Sequence, residues 1–478
     1  MRDGLAELRA RVKDEPAPEP SPETAARVGA LTLRLDEPDP RIRRGIEDEI
    51  VAVGPGAIPA LARVLADPGR PEHARGAAAL ALSRVDHPAS VPPLVAALRD
   101  ASRYVRSFAA IACGKLGRDE AVPELLLRFK EEYEPEGVVV NAAARSLLSF
   151  GSAGGLDRLV KNLRARQLER EGAIAVLAEL VGDDFGFDPS GPELERRAAA
   201  TKWEEWLAFD AARFLASRPP PPAPSDRLAL RILATVDSLR EFQMRTIDDA
   251  RLVLERLSRV AVPYLRLGLR DESSKIRGYC VEVVTLLGAR ARDATPELTG
   301  LTRDELLAPF AFQALGSVAA PADAGPHLLR GLDDAGRLEV RIACAAGLGA
   351  LGEPSIGREP LRKLLEGSGA IPADLEFTAR VALGALGDFA SFGRALDLAE
   401  EGGSIDPDVA VRSIEDALAR ATRSSGAPFR PAGAVSGGAT SGSSAVRSDP
   451  SASGAESDSP PRAARAAAIK DYLESRTP

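Results

Sequence analysis

The chain of 478 residues is poor in aromatic side chains, which make up 4% of it against 45% for hydrophobic residues as a whole. Its apolar content is therefore mostly alanine, leucine and valine, residues that suit closely layered helices better than one large enzyme core. Lysine is nearly missing too, at eight of the 62 basic residues. The remaining arginines are interspersed with carboxylates, and the net charge is −8. That balance offers no long-range attraction to nucleic acid or to an anionic membrane, and the arginine bias reads as GC-rich coding rather than phosphate binding.

Cysteine and histidine are equally scarce, at three each. Cys113, Cys280 and Cys344 lie far apart in Ala/Val/Leu-rich runs, without the pairing of a disulfide framework or the spacing of a zinc site, so they read as small buried apolar residues in a reducing compartment. His73, His87 and His327 are followed by Ala, Pro and Leu, and no HExxH, GxxxxGK[ST] or paired CxxC occurs. No catalytic residue, cofactor site or metal ligand set can be nominated from this inventory. A run of about 18 apolar residues is missing as well, and the opening MRDGLAELRARVKDEP has no apolar signal core. As written, the chain is expected to be soluble and cytoplasmic, with no membrane partner. The acidic, proline-rich stretch Asp14 to Pro22 resembles a linker, which leaves open an upstream segment if the start codon is mis-assigned.

What is present is repetition. At this length the chain is either several domains or an array, since single cores run to about 100–200 residues. Three segments share one pattern: VPPLVAALRDASRYVRSFAAIACGKLG from Val91, VPYLRLGLRDESSKIRGYCVEVVTLLG from Val262, and AGPHLLRGLDDAGRLEVRIACAAGLGALG from Ala324. Each opens with an amphipathic helix near a proline (Pro92 or Pro93, Pro263, Pro326) and turns at an aspartate (Asp100, Asp271, Asp334). A second helix then starts at an apolar–Arg pair (Val105–Arg106, Ile276–Arg277, Val340–Arg341). It ends at Gly117, Gly288 or Gly352, where glycine supplies a left-handed helix end.

This pattern resembles the HEAT repeat family, above all the short bacterial HEAT-like type related to phycobilisome lyase repeats. Weaker copies between Glu23 and Ala421 bring the expected total to about ten or eleven, with a period of about 30–36 residues. The fold expected is all-α, a right-handed α-solenoid, because one hairpin exposes an apolar face on each side and only stacking buries both. The resemblance implies that the turn aspartates and second-helix arginines pair as a ladder between adjacent repeats: Asp100 with Arg106, Asp271 with Arg277, Asp334 with Arg341. Solvated charges at helix ends are the alternative.

Two breaks interrupt the array. LVGDDFGFDPSGPELERRAAATKWEEWLAFDAARFLASRPPPP, from Leu180, holds both tryptophans. It resembles an insertion in bacterial HEAT-repeat proteins in which a Phe-Gly-x-Asp-Pro turn precedes a Trp-x-x-Trp helix. Trp203 and Trp206 fall on one helix face and are expected to cover Phe185 and Phe187, with an exposed aromatic anchor as the alternative. The second break is RPPPPAPS, Arg218 to Ser225, a stiff linker. The expected layout is a short helix and linker at 1–22, a first repeat block at 23–217 with the insertion at 183–217, the linker at 218–225 and a second block at 226–423. A Ser/Gly/Pro-rich disordered tail follows at 424–461, then a short helix within 462–478 whose Ala466, Ile469, Tyr472 and Leu473 share a face.

Two motifs match by letters and fail by context. Asp184-Phe185-Gly186 copies the kinase magnesium motif, but no His-Arg-Asp loop accompanies it. A calcium loop from Asp184 would place Asp188 fifth and Glu195 twelfth, yet its third position is Gly186 and its sixth is Pro189. The stretch therefore reads as a turn. GLGALG, Gly347 to Gly352, lies at a helix end, where a dinucleotide loop would have to open one.

The function expected is a non-enzymatic scaffold holding a protein or peptide on a concave face lined by second helices. Two alternatives follow from the family: a bilin lyase-like enzyme, and a HEAT-like protein binding nucleic acid at damaged bases. The shortage of aromatics argues against the first and the acidic charge against the second.

Overall fold

The computed structural model describes residues 2–12, 15–219, 221–240, 243–334, 336–367, 371–401, 405–422, 429 and 462–475. The expected disordered tail, 424–461, lies outside the described residues except for Phe429. Among the described residues every regular element is helical. The chain is an all-α array of helical hairpins, and it divides into two units, Met1–Ala261 and Val262–Pro478.

In the first unit α1 (Arg2–Arg11) precedes the hairpins α2 (Pro22–Leu33) with α3 (Pro40–Val51), and α4 (Ile58–Ala66) with α5 (Glu72–Leu82). Then come α6 (Val91–Ala97) with α7 (Arg103–Leu116), α8 (Val122–Leu127) with α9 (Gly137–Ser149), and α10 (Leu156–Asn162) with α11 (Gln167–Val181). The insertion forms α12 (Glu193–Phe209) and α13 (Ala211–Ser217), and α14 (Asp226–Ser238) with α15 (Met244–Leu257) closes the unit. Second helices α3, α5, α7, α9 and α11 stack in sequence order, each against the next.

Sequence sets these boundaries. Ser21, Asp39 and Ser102 cap α2, α3 and α7 by accepting from Thr24, Arg41 and Tyr104 N–H groups at 3.2, 2.8 and 3.2 Å. Prolines occupy first-turn positions of α2, α3, α4, α6 and α8, where no intrahelical donor is lost. Apolar residues at helical spacing, such as Ile58, Leu61, Val64 and Leu65 of α4, face the layer interior and are buried. No single helix among the described residues is long and apolar enough to cross a membrane. The pair Pro40–Val51 and Gly54–Ala66 is apolar enough together but bends by 119°.

The division after Ala261 departs from the sequence-based expectation of a boundary at Arg218–Ser225. The proline-rich stretch does not open a new block, because α14 and α15 pack back onto α8 and α14 also meets α1. Ser225 is fixed to the Asp119 carboxylate, its N–H at 2.8 Å.

The second unit runs through α16 (Val262–Leu269) with α17 (Ser274–Leu287), and α18 (Thr295–Leu301) with α19 (Ala308–Val318). It continues with α20 (Pro321–Leu332) and α21 (Leu338–Leu351), α22 (Pro354–Glu366) and α23 (Ala373–Ala385), α24 (Ala390–Glu401) and α25 (Pro407–Thr422), and ends at α26 (Arg462–Glu474). Here α17, α19, α21, α23 and α25 stack in order. The GLGALG glycines sit where these helices touch: a Cβ on Gly316 would fall 2.2 Å from the Gly347 carbonyl oxygen, and one on Gly349 would fall 2.8 Å from Ala382 Cα. Two local expectations change. Pro326 lies inside α20, which starts at Pro321. Gly288 ends α17 at φ 57°, ψ −137°, outside the left-handed helical well that Gly117 and Gly352 occupy.

Candidate functional site

The turn charges form a ladder, but with a different connection from the one expected. Arg106 donates through Nη1 to the backbone carbonyls of Asp100 and Ala101 at 2.9 and 3.1 Å. Its Nε and Nη2 grip the fully buried Glu134 of the next hairpin turn at 2.6 and 2.9 Å. The Asp100 carboxylate is occupied from the other side, by Arg75 of α5 and by the Ser102 N–H at 2.7 Å. Arg277 repeats the arrangement, bonding the carbonyls of Asp271 and Glu272 at 3.0 Å and the Asp304 carboxylate at 2.8 Å. In the third copy Arg341 donates to the Leu332 carbonyl at 3.0 Å, while Asp334 accepts from the Gly336 N–H of its own turn at 3.2 Å. An arginine of one repeat thus clamps its own turn's carbonyls and, in the first unit and at Arg277, the next repeat's carboxylate. Hydrogen bonding to Glu134, followed by nearby carboxylate charge, raises Arg106 above the ordinary guanidinium value against the opposing effect of burial.

The aromatic insertion is a packed turn. Asp183, Asp184 and Asp188 each accept a backbone N–H two residues on, from Phe185, Gly186 and Ser190, at 2.7, 2.8 and 2.9 Å. Phe185 and Gly186 both have positive φ, 49° and 75°, and the Phe187 N–H closes the turn onto the Asp184 carbonyl at 3.0 Å. The Phe185 ring lies 4.6 Å from Trp203, and Trp203 lies 5.4 Å from Trp206. Trp203 is fully buried and donates Nε1–H to the Asp184 carbonyl at 3.1 Å; Phe187 and Trp206 are buried beside it. The left-handed Phe185 costs about 1–2 kcal/mol, which its ring contacts with the tryptophans help to offset.

The candidate site lies at the turns of the neighbouring hairpins. Arg99, Asp100, Arg106, Arg128, Glu132, Tyr133, Pro135, Arg245 and Asp249 line an open cleft of about 670 Å³. One wall is the turn before α7, a second is the α8–α9 connection, and the third is α15, brought there by the backward packing of the α14–α15 hairpin. Tyr133 anchors that third wall. Its hydroxyl donates to Asp249 and accepts from Arg245 Nε at 2.8 Å, while Lys130 Nζ pairs with the other Asp249 oxygen at 2.9 Å. Three cations surround the Tyr133 ring, with Arg245 at 4.7 Å, Lys130 at 5.1 Å and Arg128 at 5.8 Å from its centroid. The hydrogen bond to Tyr133 raises Arg245 above its ordinary value.

Arg128 differs from the other cleft arginines in its partners, although a buried Nε without an acceptor among the described residues is a state shared with Arg75 and Arg158. It is 3% exposed, and its Nη1 donates to the Leu98 carbonyl at the end of α6 at 3.0 Å. Its Nε is buried with no acceptor among the described residues. Every other cleft arginine has a carboxylate or phenol partner: Arg99 with Glu124 at 3.1 Å, Arg106 with Glu134, Arg245 with Tyr133. Burial pulls Arg128 below the ordinary guanidinium value, with Glu124 and Glu134 opposing it from a distance. A buried charge with no directly bonded counter-ion is costly, and Glu124 and Glu134 offset that cost only through space.

Among the described residues no group of three or more His, Cys, Asp or Glu side chains converges as metal ligands. The three cysteines are buried, and burial pushes Cys113 and Cys344 up to about 12, so none of them is poised as a nucleophile. Sequence reasoning found Asp100 and Arg106 but missed Arg128, Tyr133, Arg245 and Asp249. The signal available was RFKEEYEPEG, Arg128 to Gly137, a longer and more charged turn than RDAS, RDESS or DDAG in the three clear copies.

Residues 91–178 match the family described as HEAT repeats, and residues 74–100 match the PBS lyase HEAT-like repeat. Residues 74–178 therefore carry HEAT-type repeats within an all-α array of helical hairpins. No match is found among curated proteins. Similar solved structures include human deoxyhypusine hydroxylase in complex with glycerol, at 20% identity over 62% of this chain and 95% of that one, with a TM-score of 0.22. Kap121p is similar at 15% identity over 88% of this chain, with a TM-score of 0.27; the match takes in 51% of Kap121p. An engineered protein is similar at 15% identity over 83% of this chain and 98% of that one, with a TM-score of 0.21.

Proposed function

We propose that the protein is a non-catalytic interaction scaffold and that its first unit receives an acidic side chain of a partner protein in the Arg128 cleft. The observation that carries this reading is Arg128 itself, a buried guanidinium lining an open cleft with no carboxylate of its own. A planar carboxylate meets guanidinium donors in paired, charge-assisted hydrogen bonds, and Arg245, whose partner is the Tyr133 phenol, adds positive charge beside it. Asp100, Glu132 and Asp249 lie in the same walls, so the cleft suits one isolated carboxylate better than a run of phosphates. Binding is thereby assigned to the hairpin turns and α15 rather than to the faces of the second helices.

The test is a quantitative pull-down from source-cell lysate with the full chain, an Arg128→Met chain and an Arg245→Gln chain. A protein retained by the parent and depleted on both variants supports the proposal. An identical set of bound proteins on all three overturns it.

A further inference from the structure

The last hairpin carries a second feature, independent of the Arg128 cleft. Helices α24 and α25 form a groove whose floor is Phe392, Leu396, Val411, Ile414 and Leu418. Helix α26 lies in it. Its one fully buried residue, Ile469, joins that floor, with Ala466, Tyr472 and Leu473 packed partly buried around it. Phe429 closes one side, edge-on to the Tyr472 ring at 5.2 Å, its N–H held by Thr422 Oγ1 at 2.9 Å. Arg465 forms an ion pair with Glu415, which is 3% exposed, through Nε at 3.1 Å and through a second contact from Nη2. At the rim Lys470 meets Glu400 at 2.9 Å.

Three properties separate this contact from ordinary end-capping of a repeat array. Hairpin helices elsewhere in the chain are separated by only a few residues, but residues 423–461 intervene between α25 and α26. The apolar anchor is one fully buried side chain flanked by three partly buried ones, where a stacked second helix such as α21 fully buries Val340, Ala343, Cys344, Ala345 and Leu348. The floor also carries a nearly buried carboxylate, Glu415, which demands a cation at one defined position and so selects its occupant. A helix with one fully buried anchor, distant in sequence from the hairpin it covers and seated over a groove that reads charge and register, is arranged for exchange.

We infer that the α24–α25 groove is a helix-binding site closed in cis by α26. Its partner in trans is an amphipathic protein helix with arginine, an aliphatic residue four positions later, and an aromatic–aliphatic pair at seven and eight. Arg465, Ile469, Tyr472 and Leu473 supply that pattern from within the chain.

The probe is a fluorescein-labelled peptide covering Arg462 to Ser475, titrated by fluorescence anisotropy against full-length chains. Ile469→Asp in the chain releases α26 and leaves the groove intact, so this variant binds the peptide at least tenfold more tightly than the parent. A chain carrying Arg465→Glu behaves alike, which guards against misfolding of either variant alone. A peptide carrying Arg465→Glu loses the binding to both released chains. Equal peptide binding by parent and released chains, or no binding by either released chain, overturns the inference. Light scattering of the parent gives a monomer; a dimer formed by exchange of α26 between copies overturns the closure in cis.

Discussion

Replacing Trp203 by alanine probes whether the aromatic insertion is structural. The side chain is fully buried, sits 4.6 Å from Phe185 and 5.4 Å from Trp206, and bonds the Asp184 carbonyl. Truncating a buried tryptophan costs about 3–5 kcal/mol, and because the Asp184 carbonyl keeps the Phe187 N–H the loss falls near the middle of that range. The protein has two tryptophans, so in the variant Trp206 is the only fluorescent indole and reports unfolding of the first unit. With an m-value of about 3 kcal/mol/M in urea, a loss of about 4 kcal/mol lowers the midpoint by about 1.3 M. Trp203→Phe keeps most of the ring and loses the N–H, so its midpoint falls less, by about 0.5 M on the same scale. A fall below about 0.3 M for Trp203→Ala would refute the reasoning, since an exposed partner anchor gives that result.

Four further outcomes follow from packing and charge. Gly316→Ala, whose Cβ would meet the Gly347 carbonyl at 2.2 Å, lowers stability by about 1–3 kcal/mol or more in thermal melts. Gly29→Ala in α2, with nothing within 4 Å, is neutral or stabilising by up to about 1 kcal/mol. Cys113 and Cys344, pushed up to about 12, and Cys280, also raised by burial, react with a thiol reagent at pH 8 only after denaturant is added. Burial alone would raise Glu297, but hydrogen bonds from Arg266 and Arg270 bring it below 4.5, so its stabilising contribution is present above that unfolded value and is lost as pH falls through the folded one. Glu297→Gln therefore costs about 1–3 kcal/mol at pH 7, and urea midpoints of variant and parent converge on acidification.

The hairpin array was legible in the sequence because each of its determinants is local: first-turn prolines, apolar spacing, turn aspartates and terminal glycines all act within one repeat. The ladder was legible in its residue types and not in its connections. Arg106 and Asp100 lie in one turn, but an extended arginine reaches along the stack, and the carboxylate facing it, Glu134, is fixed by the distance between neighbouring hairpins. The cleft was hidden for a related reason. Tyr133 and Asp249 meet across a long stretch of chain because α14 and α15 turn back onto α8, and the proline run before them reads equally well as a spacer between blocks. Nothing in the local pattern of α15 distinguishes a helix that continues an array from one that returns to it.

The central claim is that Arg128 is held without a counter-ion so that a partner can supply one. The most direct measurement pairs urea unfolding with partner affinity for Arg128→Met, using the protein recovered by the parent chain in the pull-down. Removing a buried unpaired charge relieves its desolvation cost, which offsets the loss of the Nη1 hydrogen bond to the Leu98 carbonyl, so stability changes by less than about 1 kcal/mol. Losing a charge-assisted hydrogen bond to the partner weakens binding by about 10- to 150-fold. That combination is the predicted result. A large loss of stability with unchanged affinity would contradict the account and make Arg128 a structural cap on α6.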